Sequence, residues 1–330
     1  MNLFQRYLVE EFAEDYQEGH LSRREAVKLI TTVTGSLLLA NSILAACTPQ
    51  DQSTSAPSPE SETPPAGTQS TAAPTEPAAA VTSGPAQATV SPDDPAVEAA
   101  DIEFPGEGAS IQGYLARPGE AGSFGEGTFP VIRVCHENRG LTEHIKDVTR
   151  RLAAAGYVGL AVDLLSRQGG TASVGSDEVP GALGNSDPEQ FVQDFLSGWQ
   201  YLQDQDYAQT DRVGMVGFCF GGGVTWLMAT RMPELLAAVP FYGPPPPVAD
   251  VPDINAAVLA IYGERDERIN QTIPTIEEAM QQNDKIYEKV IYPNADHGFH
   301  NDTGQRYNPE AAQDAWRRTL DWFGRYVKEL

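Results

Sequence analysis

Val213-Gly-Met-Val-Gly-Phe-Cys-Phe-Gly-Gly-Gly223 is the stretch on which the reading of this chain turns. Val213 to Val216 has the character of a short buried strand, and Val224 to Ala229 begins a helix. Between them, Gly217-Phe-Cys219-Phe-Gly221 follows the pattern G-x-C-x-G, the cysteine form of the G-x-S-x-G strand-to-helix elbow. Glycines two before and two after the central residue are needed because the strand and helix backbones pass too closely to admit a Cβ. A helix N-terminus behind the cysteine stabilises a thiolate, whose parent thiol has a pKa of about 8.5 when free. The competing reading is a glycine-rich turn that carries a buried, inert cysteine. A phosphate-binding loop is excluded, since neither G-x-G-x-x-G nor G-x-x-x-x-G-K-S/T fits these residues.

The segments on either side have the same alternation. Ser110 to Ala116 alternates like a half-exposed strand, and Pro130 to Cys135 reads as a buried one. Residues 141–155 carry apolar side chains at helical spacing behind Thr142, Gly156 ends that helix, and Tyr157 to Val162 is the next strand. A long Gly/Ser/Asp-rich loop is expected over 164–188, then a helix marked by Phe191, Phe195, Trp199 and Leu202. Leu236 to Phe241, Ala257 to Tyr262 and Ile286 to Tyr292 are further strands, with helices over 272–282 and 309–328. Strands alternating with helices predict an α/β domain, a mostly parallel central sheet with helices on both faces. Such sheets bind ligands at the carboxyl ends of their strands.

Those ends carry chemistry. Gly263-Glu264-Arg265-Asp266 follows one strand, and Pro293-Asn-Ala-Asp296-His297-Gly298-Phe299 follows another. With Cys219 they supply nucleophile, acid and histidine in that chain order. A thiol is only a few per cent ionised at neutral pH and needs an imidazole beside it, and a carboxylate fixes the imidazole tautomer. Glu264 and Asp296 are alternatives to Asp266, and His20, His144 and His300 read as surface histidines. The strand ending at Cys135 leads into His136-Glu137-Asn138-Arg139-Gly140, a loop that can supply an oxyanion-hole amide beside that of Phe220. Glu137 is either an exposed acid at a loop start or an acceptor for the thiol proton. Cys135 shares its strand face with Glu137 and reads as a buried structural cysteine, with oxidation against Cys219 as the alternative.

Glu137, Asp163-Leu-Leu-Ser-Arg-Gln168, Gly-Phe-Cys-Phe-Gly, Gly-Glu-Arg-Asp and His-Gly-Phe, in that order, resemble the dienelactone hydrolase (carboxymethylenebutenolidase) family over about residues 100–330. The resemblance implies an α/β-hydrolase fold and hydrolysis of a small ester or lactone through a thioester. It implies Cys219 as nucleophile, His297 as base and Asp266 as its orienting acid, with Phe220 and Asn138 donating the oxyanion-hole amides. By the same resemblance Glu137 holds the thiol in the resting enzyme and Arg167 binds a substrate carboxylate. A second carboxylate-binding arginine of the family corresponds to Asn301 here, so a bidentate clamp would lack one partner. No metal or organic cofactor is implied. A reading from another class is a non-catalytic surface binding protein on a hydrolase scaffold.

The catalytic domain is expected over 99–330. Residues 48–98 are almost wholly Ser, Thr, Pro, Ala, Gly, Gln and acids, the composition of a disordered tether. Upstream, Leu21-Ser-Arg-Arg-Glu-Ala-Val-Lys28 and the apolar run to Ala46 resemble a twin-arginine export signal, and Leu44-Ala-Ala-Cys47 resembles a lipoprotein cleavage site. Residues 1–47 are therefore expected to export the domain and attach it to the outer face of a bacterial membrane, through lipid on Cys47 or as an uncleaved anchor. Residues 1–20 are mildly amphipathic and suggest no function. The formal net charge of −24 argues against nucleic acid as a partner. Three cysteines, at 47, 135 and 219, are too few for a disulfide framework and form no zinc pair. A small-molecule substrate and a monomeric catalytic domain are expected.

Overall fold

A computed structural model describes residues 1–47 and 89–328. Three helices come first: α1 (Leu3–Gln17), α2 (Arg23–Thr34) and α3 (Leu37–Ala46). The strands are β1 (Val97–Gly106), β2 (Ala109–Pro118), β3 (Phe129–Cys135), β4 (Val158–Val162), β5 (Ala208–Phe218), β6 (Ala237–Phe241), β7 (Ala257–Gly263) and β8 (Tyr287–Tyr292). Between them run α4 (Glu143–Ala154), α5 (Val179–Asn185), α6 (Pro188–Gln203), α7 (Phe220–Arg231), α8 (Glu267–Asn270), α9 (Ile273–Gln282) and, last, α10 (Pro309–Phe323).

One eight-stranded sheet, in the order β1-β2-β4-β3-β5-β6-β7-β8, organises the molecule. β1, β2 and β4 pair antiparallel, and every pairing from β4 through β3 to β8 is parallel. β3, β4, β6 and β7 are buried along their whole length, as strands covered by helices on both faces must be. β5 lies centrally, between β3 and β6, so the elbow after Phe218 opens near the middle of the carboxyl edge.

Several sequence expectations change. The 164–188 segment is not loop throughout, since α5 lies within it. The domain begins before residue 99. The Val90 amide donates to Asp147 at 2.7 Å, its carbonyl accepts from Arg150 at 2.6 Å, and β1 starts at Val97. Most of the expected tether, residues 48–88, lies outside the described residues.

The N-terminus differs most. The apolar run divides at Gly35, which caps α2 in the left-handed conformation (φ 68°). Among the described residues no helix is long and apolar enough to cross a membrane. Arg23 and Arg24 stand in the first turn of α2 behind a Ser22–Glu25 capping box, and Cys47 follows the last residue of α3. α1 and α2 pack on the catalytic domain, and α3 packs on α2. Phe4, Tyr7, Leu8 and Phe12 of α1 are buried in the common core, each worth about 1.5–3 kcal/mol of transfer free energy.

The candidate active site

Close backbone contact builds the elbow. A Cβ on Gly217 would lie 2.2 Å from the Gly221 carbonyl oxygen, and one on Gly221 would lie 2.4 Å from that of His136. Between them Cys219 adopts φ 58°, ψ −120°, a conformation most side chains avoid. Its amide donates to the Phe241 carbonyl at 3.1 Å, which ties the bend to β6. Phe220 is the first residue of α7, so its amide has no acceptor within the helix.

The structure brings Cys219, Asp266 and His297 together from three chain segments. Asp266 follows β7 and accepts the Ile269 amide at 3.2 Å as the cap of α8. Its other carboxylate oxygen lies 2.6 Å from His297 Nδ1. Glu264 accepts from the Asn294 amide and Asp296 pairs with Arg265, so neither competes for the imidazole. A Cys219, a Glu11 and a His297 donor atom lie within 4.8 Å of one another. Burial opposes the charged form of His297, but Asp266 and Cys219 outweigh it and raise its pKa well above the usual histidine range. Burial likewise opposes the Asp266 carboxylate, and the His297 charge and hydrogen bond hold its pKa below the ordinary value.

Two unforeseen groups come from α1. Tyr7 Oη donates to Cys219 Sγ at 3.2 Å and lies 3.3 Å from His297 Nε2. The Glu11 carboxylate oxygens are 3.6 and 3.7 Å from Sγ, as acceptors for the thiol, and Glu11 also accepts from the Asn138 side chain at 3.0 Å. Burial pushes the thiol pKa up, the Glu11 charge pushes it further, and His297 offsets part of the rise. Burial also keeps the Tyr7 hydroxyl protonated, its pKa well above the usual phenol value. The sequence did carry a signal: Glu11 and Tyr7 are one turn apart, and Glu11 shares the face of Phe4, Tyr7, Leu8 and Phe12.

Glu137 does not hold the thiol. Its carboxylate accepts from Asn301 Nδ2 at 2.6 Å, and burial raises its pKa against the opposing effect of His144 and Asn301. The residue at the second arginine position therefore binds the residue expected at the sulfur, and Glu11 takes that place. Arg167 does not reach the site either. Its guanidinium bonds the Glu107 carbonyl at 2.7 Å and pairs with the buried Asp194 at 2.8 Å. His144 and His300 are not surface residues. His144 Nδ1 meets Asp302 at 2.9 Å, and the His300 ring stacks on Phe218 at 4.9 Å. Cys135 is buried, as expected of a structural cysteine, and burial holds its pKa well above the usual thiol value.

A cavity of about 240 Å³ adjoins Cys219. One wall comes from Phe12, Leu21 and Leu29 of the N-terminal segment, the other from Glu137, Asn138 and Asn301 of the domain. Arg139, exposed at this cavity, has no ion-pair partner among the described residues, whereas Arg306 pairs with Asp15. The volume suits a small organic molecule. Glu11, Cys219 and His297 form the one group of close donors among the described residues that could hold a metal ion.

Comparison with known proteins agrees with this architecture. A model of the dienelactone hydrolase family matches residues 111–327. A protein of Methylorubrum extorquens provisionally named carboxymethylenebutenolidase is 36% identical over 241 residues, 69% of this chain and 81% of its own length. A similarly named Escherichia coli K12 protein is 33% identical over 265 residues, 72% of this chain and 90% of its own. The crystal structure of a provisionally assigned dienelactone hydrolase from Klebsiella pneumoniae superposes with a TM-score of 0.65 at 33% identity, covering 70% of this chain and all of that one.

Proposed function

The chain belongs to the dienelactone hydrolase family, and from that premise we propose that it hydrolyses small carboxylic esters or lactones with Cys219 as nucleophile. One observation carries the reading. The sulfur stands on a strained elbow within 4.8 Å of an imidazole whose far nitrogen is held 2.6 Å from a buried carboxylate. Each group has a role that this arrangement supports. The Cys219 thiolate attacks the carbonyl carbon, and the carbonyl π pair moves to oxygen. The Phe220 amide and that of Asn138 are the proposed donors to this oxyanion. Collapse expels the alkoxide and leaves a thioester on Cys219. Water, its proton taken by His297 Nε2, then attacks the thioester, and the sulfur leaves and is reprotonated. Asp266 keeps the imidazole in the tautomer that presents Nε2 to the reaction. No step requires a metal.

A screen of aryl esters, small lactones and dienelactone on parent and Cys219→Ala tests the proposal. Turnover abolished in the variant is expected, and no turnover by the parent on any of these substrates would overturn it.

Export and envelope attachment are proposed separately, supported by the Arg23-Arg24 pair and the Leu44-Ala-Ala-Cys47 ending. Cleavage ahead of Cys47 would remove Tyr7 and Glu11 from beside the sulfur, so the attached form we propose is the uncleaved chain, and mass spectrometry of membranes from the producing bacterium should find it with its Met1 terminus. An intact Met1 terminus in the soluble fraction alone would refute this.

A further inference from the structure

We propose that α1 is a permanent part of the catalytic centre, in which Glu11 receives the Cys219 thiol proton when substrate binds and Tyr7 holds the sulfur against His297. The inference rests on the thiol-hydrolase reading and assigns the acid–base work of its first half.

The domain surface is cut to fit the N-terminal helices. A Cβ on Gly181 would lie 2.7 Å from Thr32 and one on Gly184 would lie 3.1 Å from Leu8, whereas one on Gly223, in the helix behind the nucleophile, would meet Pro244 of the domain at 2.8 Å before Phe4 at 3.0 Å. Asn2 Nδ2 donates to the Gly184 carbonyl at 3.2 Å. Arg268 pairs with Glu14 at 2.9 Å and lies 4.7 Å from the centre of the Tyr7 ring, while Arg306 pairs with Asp15. Phe4 packs at 4.8 Å on the ring of Phe220, whose amide is a proposed oxyanion donor. A detachable cover would not need the two glycines of α5 at its points of contact. With α1 in place the cavity beside Cys219 still remains, walled partly by Phe12 and Leu29. The helix therefore shapes the substrate space and does not fill it.

The proton traffic balances. In the resting enzyme the thiol donates to the Glu11 carboxylate, whose charge also discourages a free thiolate. As the thiolate attacks the carbonyl carbon, the S–H bond breaks and a Glu11 O–H bond forms. When the tetrahedral intermediate collapses, the ester C–O bond breaks and Glu11 returns that proton to the leaving alkoxide. Glu11 is then a carboxylate again for the next cycle, and deacylation runs through His297. Tyr7 keeps its own proton throughout. Its O–H points at sulfur and its oxygen faces Nε2, so it steadies the sulfur both as it attacks and as it leaves. Glu11, not Glu137, is the carboxylate that faces the thiol, and Asn301 holds one oxygen of Glu137.

The full-length chain carrying Glu11→Gln or Tyr7→Phe tests this against parent and Cys219→Ala. Two readouts are needed: aryl-ester kcat/KM and the rate at which iodoacetamide alkylates Cys219. In Glu11→Gln, turnover should fall about a hundredfold, the size of a general acid–base contribution, while alkylation becomes faster because the repelling charge is gone. Tyr7→Phe should lower turnover about tenfold with thermal stability retained. If both rates rise in Glu11→Gln, α1 is a cover and the proposal is overturned. Rates within twofold of the parent in both variants also overturn it. If the parent hydrolyses no ester, the hydrolase reading fails separately, and an unchanged alkylation rate in Glu11→Gln would then refute the Glu11 contact as well.

Discussion

Replacing Gly217 by alanine tests the elbow directly. The added Cβ would lie 2.2 Å from the Gly221 carbonyl oxygen and 2.4 Å from Thr225 Oγ1, both well inside contact distance. Neither neighbour can yield cheaply. The Gly221 carbonyl already accepts from Thr225 Oγ1 at 2.9 Å within the first turn of α7, and both residues are buried. Relief therefore requires α7 to move away from the end of β5. Overpacking of this kind costs about 1–3 kcal/mol, and a backbone neighbour places the change at the upper end. At a slope of about 2–3 kcal/mol per molar urea, the unfolding midpoint should drop by roughly 1 M. The bend also carries the sulfur, and a displacement near 1 Å costs about a hundredfold in rate. Urea unfolding followed by intrinsic fluorescence and aryl-ester kcat/KM read the two effects separately. Gly324→Ala, where an added Cβ meets nothing within 4 Å, should leave both unchanged. A Gly217→Ala protein with the parent's midpoint and activity would refute the steric account of this turn.

Asp266→Asn should lower kcat/KM by about 10³–10⁴-fold, because the imidazole loses its fixed tautomer and the support of its charge. It should also flatten the pH dependence of stability. His297 has a raised pKa in the folded chain, so the stability it contributes is complete below the unfolded histidine value of about 6.5 and is lost as pH rises through the folded value. The fall in unfolding free energy over that alkaline range should shrink in the variant, and an unchanged fall would contradict the assigned partner. Arg167→Ala should cost about 3 kcal/mol by leaving the buried Asp194 unpaired, with KM for anionic esters unchanged. A tenfold rise in KM at parental stability would place Arg167 back at the substrate. Zinc at micromolar concentration should inhibit reversibly, with recovery on chelation, since Glu11, Cys219 and His297 offer oxygen, sulfur and nitrogen ligands within 4.8 Å of one another. Inhibition of equal strength in Glu11→Gln would show that the metal binds elsewhere.

Reading by residue type and spacing worked wherever the determinants are local. Gly217 and Gly221 announce the elbow because a backbone crossing admits no side chain, and this requirement is written within five residues. The strand-end positions of Asp266 and His297 follow from alternation of strands and helices, since a parallel sheet aligns its carboxyl edges whatever the details of packing. Cys219, Asp266 and His297 were thus legible one after another along the chain. Arg167 and Glu137 were misread because their motifs are local but their partners are not: Asp194 and Asn301 lie 27 and 164 residues away.

Only the tertiary structure decided the place of the N-terminus. Tyr7 meets Cys219 across 212 residues and Glu11 across 208, and no short-range pattern encodes such an encounter. The apolar face of α1 could equally have faced a membrane. Its docking depends on complementary glycines in α5 and on Arg268 and Arg306 near the site. A carboxylate on that face is a cost in hydrocarbon, whereas beside a thiol and an asparagine amide it has partners for its charge.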